Sequence, residues 1–390
     1  MKIAVVCDSF KGSLTSKDAC AAVKDGLLRC NKNFEVLSLP FADGGEGTSR
    51  CFYDILGGQL RKAAVHDPLL REITAEYTVL PDGTAVIDVA SASGLTLLKS
   101  SERDAVKVSS LGSGELICDA AEHGAKHIIL GLGGSATTDA GTGILYALGM
   151  RFFSEDGVEV LPDGQNMIRV KKIRRTENFE RFKDIKFTLA CDVTNPLCGE
   201  NGAAYVFSPQ KGASKNDVKL LDDGLRNIGE IFEKASGKKI INLPGAGAAG
   251  GIGGGLSAFL NCELQSGFDV LARAASLEDK IRRSDAVITG EGKTDRQTLF
   301  GKLPKRVSDI AEKFGVPCIL LSGDVENDIS AETLGVCEIH KIKENGISLE
   351  HCMKNAASLL SEKAFAIGKN SKTINKQYSR KQEKMRENER

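Results

Sequence analysis

Four glycine-rich loops restrict the fold of this 390-residue chain more than any other feature, and three of them follow directly on a β-like apolar run. They fall at residues 43–48, 131–139, 244–255 and 290–298. In an α/β sheet, the loops at the carboxyl ends of the strands face the ligand crevice. Glycine there lets backbone N–H groups approach a phosphate, and a neighbouring carboxylate can hold magnesium or accept a proton. Around these loops the chain reads as βαβ units. An apolar run at Lys2–Cys7 leads into a polar loop and then a helix to about Arg29, with Thr15 and Asp18 as its capping signal. A second run at residues 34–39 repeats the pattern, and so does the segment 285–322. Such alternation predicts a doubly wound parallel sheet covered on both faces.

The middle of the chain reads differently. Residues 73–80 and 84–90, joined by Pro81-Asp82-Gly83, form a hairpin pattern, and strands and helices mix from there to about residue 265. The expected architecture is therefore one α/β domain, residues 1–65 plus 280–368, interrupted by a larger mixed α/β domain at 66–279. Residues 369–390 carry little that is apolar. From Ser371 onward there are seven Lys or Arg against three Glu, which predicts a basic flexible tail.

Composition removes several function classes. Lys plus Arg equals Asp plus Glu at 52 each, so no global field recruits nucleic acid or an anionic membrane. The longest apolar runs are strand-sized, far below the ~20 residues a bilayer requires. The start, MKIAVVCDS, has no basic segment followed by a long apolar one, so secretion is not expected and a cytoplasmic setting is. Eleven cysteines, odd in number and scattered through apolar runs, read as buried thiols of a reducing compartment. His123 and His127 flank a helix end and read as ordinary solvated or core histidines, not as a zinc pair. The sequence leaves a homodimer open.

The loops at 43–48 and 290–298 each place two carboxylates within five residues of a strand end, and the second adds Lys293 and Arg296. Carboxylates for magnesium beside cations for a phosphate or carboxylate are what phosphoryl transfer needs. The loop around Gly133, Gly134 and Ser135 reads as a phosphate cradle, with a capped tight turn as its structural alternative. Gly245, Gly247 and Gly250 spell G-x-G-x-x-G, but the acidic residue at the proper distance, Asp269, lies in a helical pattern. A dinucleotide fold is therefore disfavoured, and the loop reads as a phosphate or hinge loop, with a close-packed turn as its near-equal structural alternative. No G-x-x-x-x-G-K-[ST], H-R-D or D-F-G motif occurs, which disfavours P-loop and protein kinases.

Seven ordered stretches, including Asp8-Ser9-Phe10-Lys11-Gly12, Ala42-Asp43-Gly44-Gly45-Glu46-Gly47-Thr48, Cys191-Asp192-Val193-Thr194-Asn195-Pro196 and Ile288-Thr289-Gly290-Glu291-Gly292, resemble the type I glycerate kinase family of bacterial glycerate 2-kinases. They span residues 1 to about 365. The resemblance implies a flavodoxin-like domain interrupted by a mixed α/β domain, with ATP and glycerate meeting in the cleft between them, and ADP and 2-phosphoglycerate as products. On this reading Asp43, Glu46 and Asp192 are candidate Mg2+ ligands, and Gly133, Gly134, Ser135, Gly247 and Gly250 would hold the nucleotide phosphates. Lys293, Arg296 and Ser93 would bind glycerate, while Asp192 or Asp295 orients or deprotonates the attacking hydroxyl and Lys11 steadies the phosphoryl group. A sugar or mevalonate-type kinase, an NAD-dependent hydroxy-acid dehydrogenase and a two-lobed binding protein are the competing readings.

Overall fold

The computed structural model describes residues 1–377 and 379, apart from 43 and 345. Its strands, in chain order, are β1 (Lys2–Cys7), β2 (Glu35–Pro40), β3 (Gln59–His66), β4 (Glu72–Val79), β5 (Ala85–Asp88), β6 (His127–Gly131), β7 (Met150–Phe153), β8 (Lys172–Arg175), β9 (Lys186–Ala190), β10 (Asn261–Gln265), β11 (Ala286–Thr294), β12 (Cys318–Val325) and β13 (Glu338–Lys341). The chain divides into two compact units, one built from Met1–Asp43 with Leu271–Arg390, the other from Gly44–Val270.

The discontinuous unit holds a parallel sheet in the order β2-β1-β11-β12-β13. Counted within the unit this is 2-1-3-4-5, the flavodoxin-like doubly wound order, whose switch point lies between β1 and β11. Those two strands pair in register from Ile3 with Ala286 to Cys7 with Gly290. Successive strand residues point to opposite faces, and here both sets are buried. Ile3, Val5, Ile288, Ile319 and Leu321 join a core with Val23, Leu27 and Leu360 from the helices Ser16–Cys30 and Ala356–Asn370. Ala4, Val6, Val287 and Leu320 are equally buried, and the helix Leu303–Lys313 packs on β11 and β12. Thr15 caps the first helix by accepting the Asp18 N–H, as the sequence pattern anticipated.

The continuous unit carries a six-stranded sheet, β10-β9-β6-β5-β4-β3, parallel from β10 to β5 and antiparallel across β5, β4 and β3. The anticipated hairpin is the β4–β5 pair, closed by Leu80 and Thr84. The unit begins at Gly44, not at residue 66, because the helix Thr48–Leu56 packs on β4 and β5, and β3 is an edge strand of the same sheet. At the other end, residues 372–377 are helical, and Ser371 and Ile374 are buried. Ser371 Oγ donates to Glu338 and Ile374 joins the core of the discontinuous unit, so packed structure extends past residue 369. The rest of the anticipated tail, residues 378 and 380–390, lies outside the described residues.

Candidate active site

The carboxyl ends of β1 and β11 open onto a cavity of about 690 Å3 in the discontinuous unit. That is the switch point, where an open α/β sheet binds its ligands. Its polar wall carries Asp8, Glu291, Asp295 and Asp324 with Lys11, Lys293, Lys302 and Lys343; Phe10, Ile342, Leu349 and Met353 supply an apolar wall. The chain reaches this geometry through close backbone packing. A side chain at Gly292 would meet Phe10 Cα at 3.2 Å, and one at Gly323 would meet the Gly292 carbonyl at 2.1 Å.

Three of the four lysines of this wall are ion-paired. Lys293 pairs with Glu326 at 2.8 Å, Lys302 with Asp295 at 3.2 Å, and Lys343 with Asp324 at 2.6 Å. Asp295 also caps the short helix Arg296–Leu299, accepting the Gln297 N–H at 2.9 Å. Partial burial pushes its pKa upward, but the Lys302 ammonium and the helix N–H donors outweigh that and hold it below the usual carboxylate range. Glu291 behaves in the opposite way. Burial raises its pKa to about 7, against the bond donated by the Thr298 hydroxyl at 2.8 Å, with Asp8 adding a further upward push. Arg296 is turned away from the cavity wall, with an exposed side chain paired to Asp328 at 2.6 Å.

In the continuous unit the loops after β6 and β9 and the loop at 244–255 lock together at the carboxyl edge of the sheet. The Gly133 N–H donates to the Gly44 carbonyl at 3.0 Å, and a Cβ at Gly133 would lie 2.5 Å from Gly45 Cα. The Gly247 N–H donates to Asn195 O at 2.9 Å. Gly250, at φ +69°, would place a Cβ 2.0 Å from the Thr137 carbonyl. These glycines therefore make room for backbone, and the N–H groups of Gly133 and Gly247 are already engaged, so the cradle reading of these two loses to the packed-turn reading. Asp88, at the end of β5, accepts the N–H groups of Gly47 at 2.9 Å and Ser49 at 3.0 Å and so anchors the loop bearing Glu46. Burial raises the Asp88 pKa to about 7, although those N–H bonds oppose it and Glu46 reinforces it.

Of the residues singled out from sequence, Lys11, Lys293 and Asp295 meet at the cavity. Glu46, Gly134 and Ser135 lie on neighbouring loops of the other unit, where a Cβ at Gly134 would sit 3.7 Å from Glu46 Cβ. Asp192 is exposed just beyond β9. Ser93 is fully buried, its hydroxyl accepting from Ser113 at 2.7 Å and its carbonyl from the Ala136 N–H at 2.8 Å, so it buttresses the Ser135 loop from within. Asp43 lies outside the described residues. Sequence reading missed Asp8, Glu291, Lys302, Asp324, Lys343, Asp88 and Lys211. Asp8 and Glu291 stood inside recognised loops; Lys211, in Pro209-Gln210-Lys211-Gly212, gave no signal that it would be buried.

Comparison with known proteins agrees with this layout. The model of the glycerate kinase family matches residues 3–372. A glycerate 2-kinase of Escherichia coli is 41% identical over 84% of this chain and 87% of its own length, and a glycerate kinase of Halalkalibacterium halodurans is 38% identical over 94% and 97%. The crystal structure of a candidate glycerate kinase 2 from Salmonella typhimurium LT2 superposes with a TM-score of 0.85 at 34% identity, covering 96% of this chain and 99% of that one. With a family match over nearly its whole length and relatives of this similarity, the chain belongs to the glycerate kinase family.

Proposed function

We propose that the protein transfers the γ-phosphoryl group of ATP to the C2 hydroxyl of D-glycerate, releasing ADP and 2-phosphoglycerate. The observation that carries this reading is the switch-point cavity, where four lysines and four carboxylates face one space, in a chain of the glycerate kinase family. Phosphoryl transfer asks the protein mainly for positioning and charge neutralisation. Lys11 and Lys293 are offered to the anionic oxygens of the transferring group and of the glycerate carboxylate; Lys293 is better placed for this than Arg296, which Asp328 holds outside the cavity wall. The glycerate oxygen bonds to the γ-phosphorus as the bond to the bridging oxygen of ADP breaks, and the hydroxyl proton passes to a carboxylate. Asp295 and Asp192 are the candidates for that proton. Lys302 keeps Asp295 ionised and ready to accept it.

Magnesium bound with ATP takes one or two carboxylates, phosphate oxygens and water. Among the described residues no three His, Cys, Asp or Glu side chains converge. Glu46 and Asp192, hard oxygen donors beyond the carboxyl ends of strands, fit that modest demand, together with Asp43. The ion would supply charge neutralisation at the phosphates. Among the described residues no helix is long and apolar enough to cross a membrane, and all eleven cysteines are free thiols, which supports a reducing, cytoplasmic setting.

The test is ADP release from ATP and magnesium with D-glycerate, against a no-acceptor control, sugars and mevalonate, with phosphorus NMR of the product. Glycerate-dependent release with phosphate on C2 is expected. Phosphate on C3 corrects the regiochemistry, and release only with a sugar or mevalonate overturns the substrate.

A further inference from the structure

Lys211 is the least expected side chain in the continuous unit. It closes the turn Pro209–Lys211 and is only 3% exposed. The turn is pinned against the 131–139 loop by Ser208, whose hydroxyl meets that of Thr138 at 2.9 Å. The Lys211 ammonium donates to Ser135 Oγ at 3.0 Å and to the Thr137 carbonyl at 2.7 Å, both neutral. The neighbouring carboxylate, Asp139, is already satisfied by the Ser110 N–H and hydroxyl at 2.9 and 2.7 Å and the Gly141 N–H at 3.0 Å. A buried charge with neutral partners is costly, although an apolar chain in its place would leave the buried Thr137 carbonyl without this donor. Burial lowers the Lys211 pKa to about 7, with Asp139 pulling it back up. The Thr137 carbonyl needs only a neutral donor, so the fold alone gives no reason for a charged one.

The chemistry of Ser135 supplies one. An ammonium can only donate, so the bond from Lys211 occupies a lone pair of Ser135 Oγ and leaves the hydroxyl proton to be donated elsewhere. Ser135 is buried and directly follows the exposed Gly134. On the same loop, Thr137 Oγ1 is buried and has no hydrogen-bond partner among the described residues. A polarised donor and an unmatched hydroxyl beside a buried cation lack one thing, an anionic acceptor.

We infer that Lys211 is a positioning residue that polarises Ser135 and commits its hydroxyl proton to an anionic oxygen of a reactant, a phosphate of ATP or the carboxylate of glycerate. This rests on the kinase reading above, and its test is separable from that reading. The intact protein and the variants Lys211→Met, Ser135→Ala and the double variant are compared by thermal melting, by calorimetric binding of ATP alone and of D-glycerate alone, and by steady-state kinetics. The expected result is a melting temperature in Lys211→Met within a few degrees of wild type, because loss of the bond to the Thr137 carbonyl is offset by removal of a buried charge. Binding of one reactant weakens about tenfold or more in both single variants, KM for that reactant rises more than kcat falls, and the double variant is no worse than either single one. Weakened ATP binding identifies the acceptor as phosphate, and weakened glycerate binding identifies it as carboxylate. Wild-type binding of both reactants in either single variant overturns the inference, as do independent, multiplicative losses in the double variant or a loss of melting temperature without a loss of binding. Wild-type protein that binds a reactant but does not phosphorylate glycerate counts against the kinase reading alone.

Discussion

At the residue scale, Glu291, within β11, and Asp295, just beyond its end, have opposite environments. Glu291 has its pKa raised by burial to about 7 from 4.5, so the folded state holds its proton more tightly than the unfolded chain. The associated stability is complete below pH 4.5 and is lost as pH rises through 7. Glu291→Gln keeps an acceptor for the Thr298 hydroxyl without the charge. At about 1.4 kcal/mol per pKa unit, its melting temperature should exceed that of wild type at pH 8 by the equivalent of roughly 3–4 kcal/mol and match it near pH 4.5; a gap that does not grow with pH refutes the assignment. For Asp295 the choice of variant matters. Alanine also removes a helix cap, worth about 1 kcal/mol, whereas asparagine caps as well. Asp295→Asn should therefore melt near wild type while kcat falls by about 10² or more if Asp295 takes the hydroxyl proton. Unchanged turnover would pass the role to Asp192. The sequence displayed both carboxylates in one glycine loop. It could not display which would be buried, because that depends on β1 and β12 packing beside β11 from distant parts of the chain.

At the scale of elements, the strand-loop-helix alternation was legible from apolar runs and caps, and it led to the β1, β2, β11 and β12 layout. The task of each glycine was not legible. A glycine that frees an N–H for phosphate and a glycine that makes room for another backbone look alike in sequence, and only the fold separates them. Gly133 belongs to the second kind, with Gly45 Cα 2.5 Å from where its Cβ would stand. Gly47 precedes the helix Thr48–Leu56 at φ +89° and has nothing within 4 Å. Gly133→Ala must displace the loop that carries Glu46, so it should cost about 3 kcal/mol, roughly 6–12 °C of melting temperature, and most of the activity. Gly47→Ala meets only the left-handed strain of about 1–2 kcal/mol. Equal losses in the two variants would show that steric room is not what Gly133 provides.

At the scale of the whole molecule, the two units differ in how the chain enters them. The sequence marked the doubly wound lobe at both ends and an insertion between them, yet placed the junction at residue 66, because β3 carries no polarity change to announce which sheet it joins. The continuous unit, Gly44–Val270, has its sheet, its helices and a core running through Ile87, Leu130, Leu189, Leu225 and Phe232 within one uninterrupted segment. The discontinuous unit must pair Ile3 with Ala286 before β1 has its second neighbour. Closing that loop as a free coil carries an entropy cost that grows with the logarithm of its length, and a folded insert shortens the effective loop. Residues 44–270 expressed alone should therefore melt as a cooperative domain, whereas residues 271–377 alone lack β1 and β2, which complete the sheet beside β11, and the Ser16–Cys30 helix that covers one face of it, and should not. The boundary at the far end follows the same logic. Stopping the full-length chain after residue 377 removes nothing packed among the described residues, while stopping after Asn370 strips the buried Ile374 and the Ser371 bond to Glu338. The shorter chain should lose about 2–3 kcal/mol from the apolar burial alone and melt several degrees lower; equal melting temperatures would mean that residues 371–377 add nothing to the core they enter.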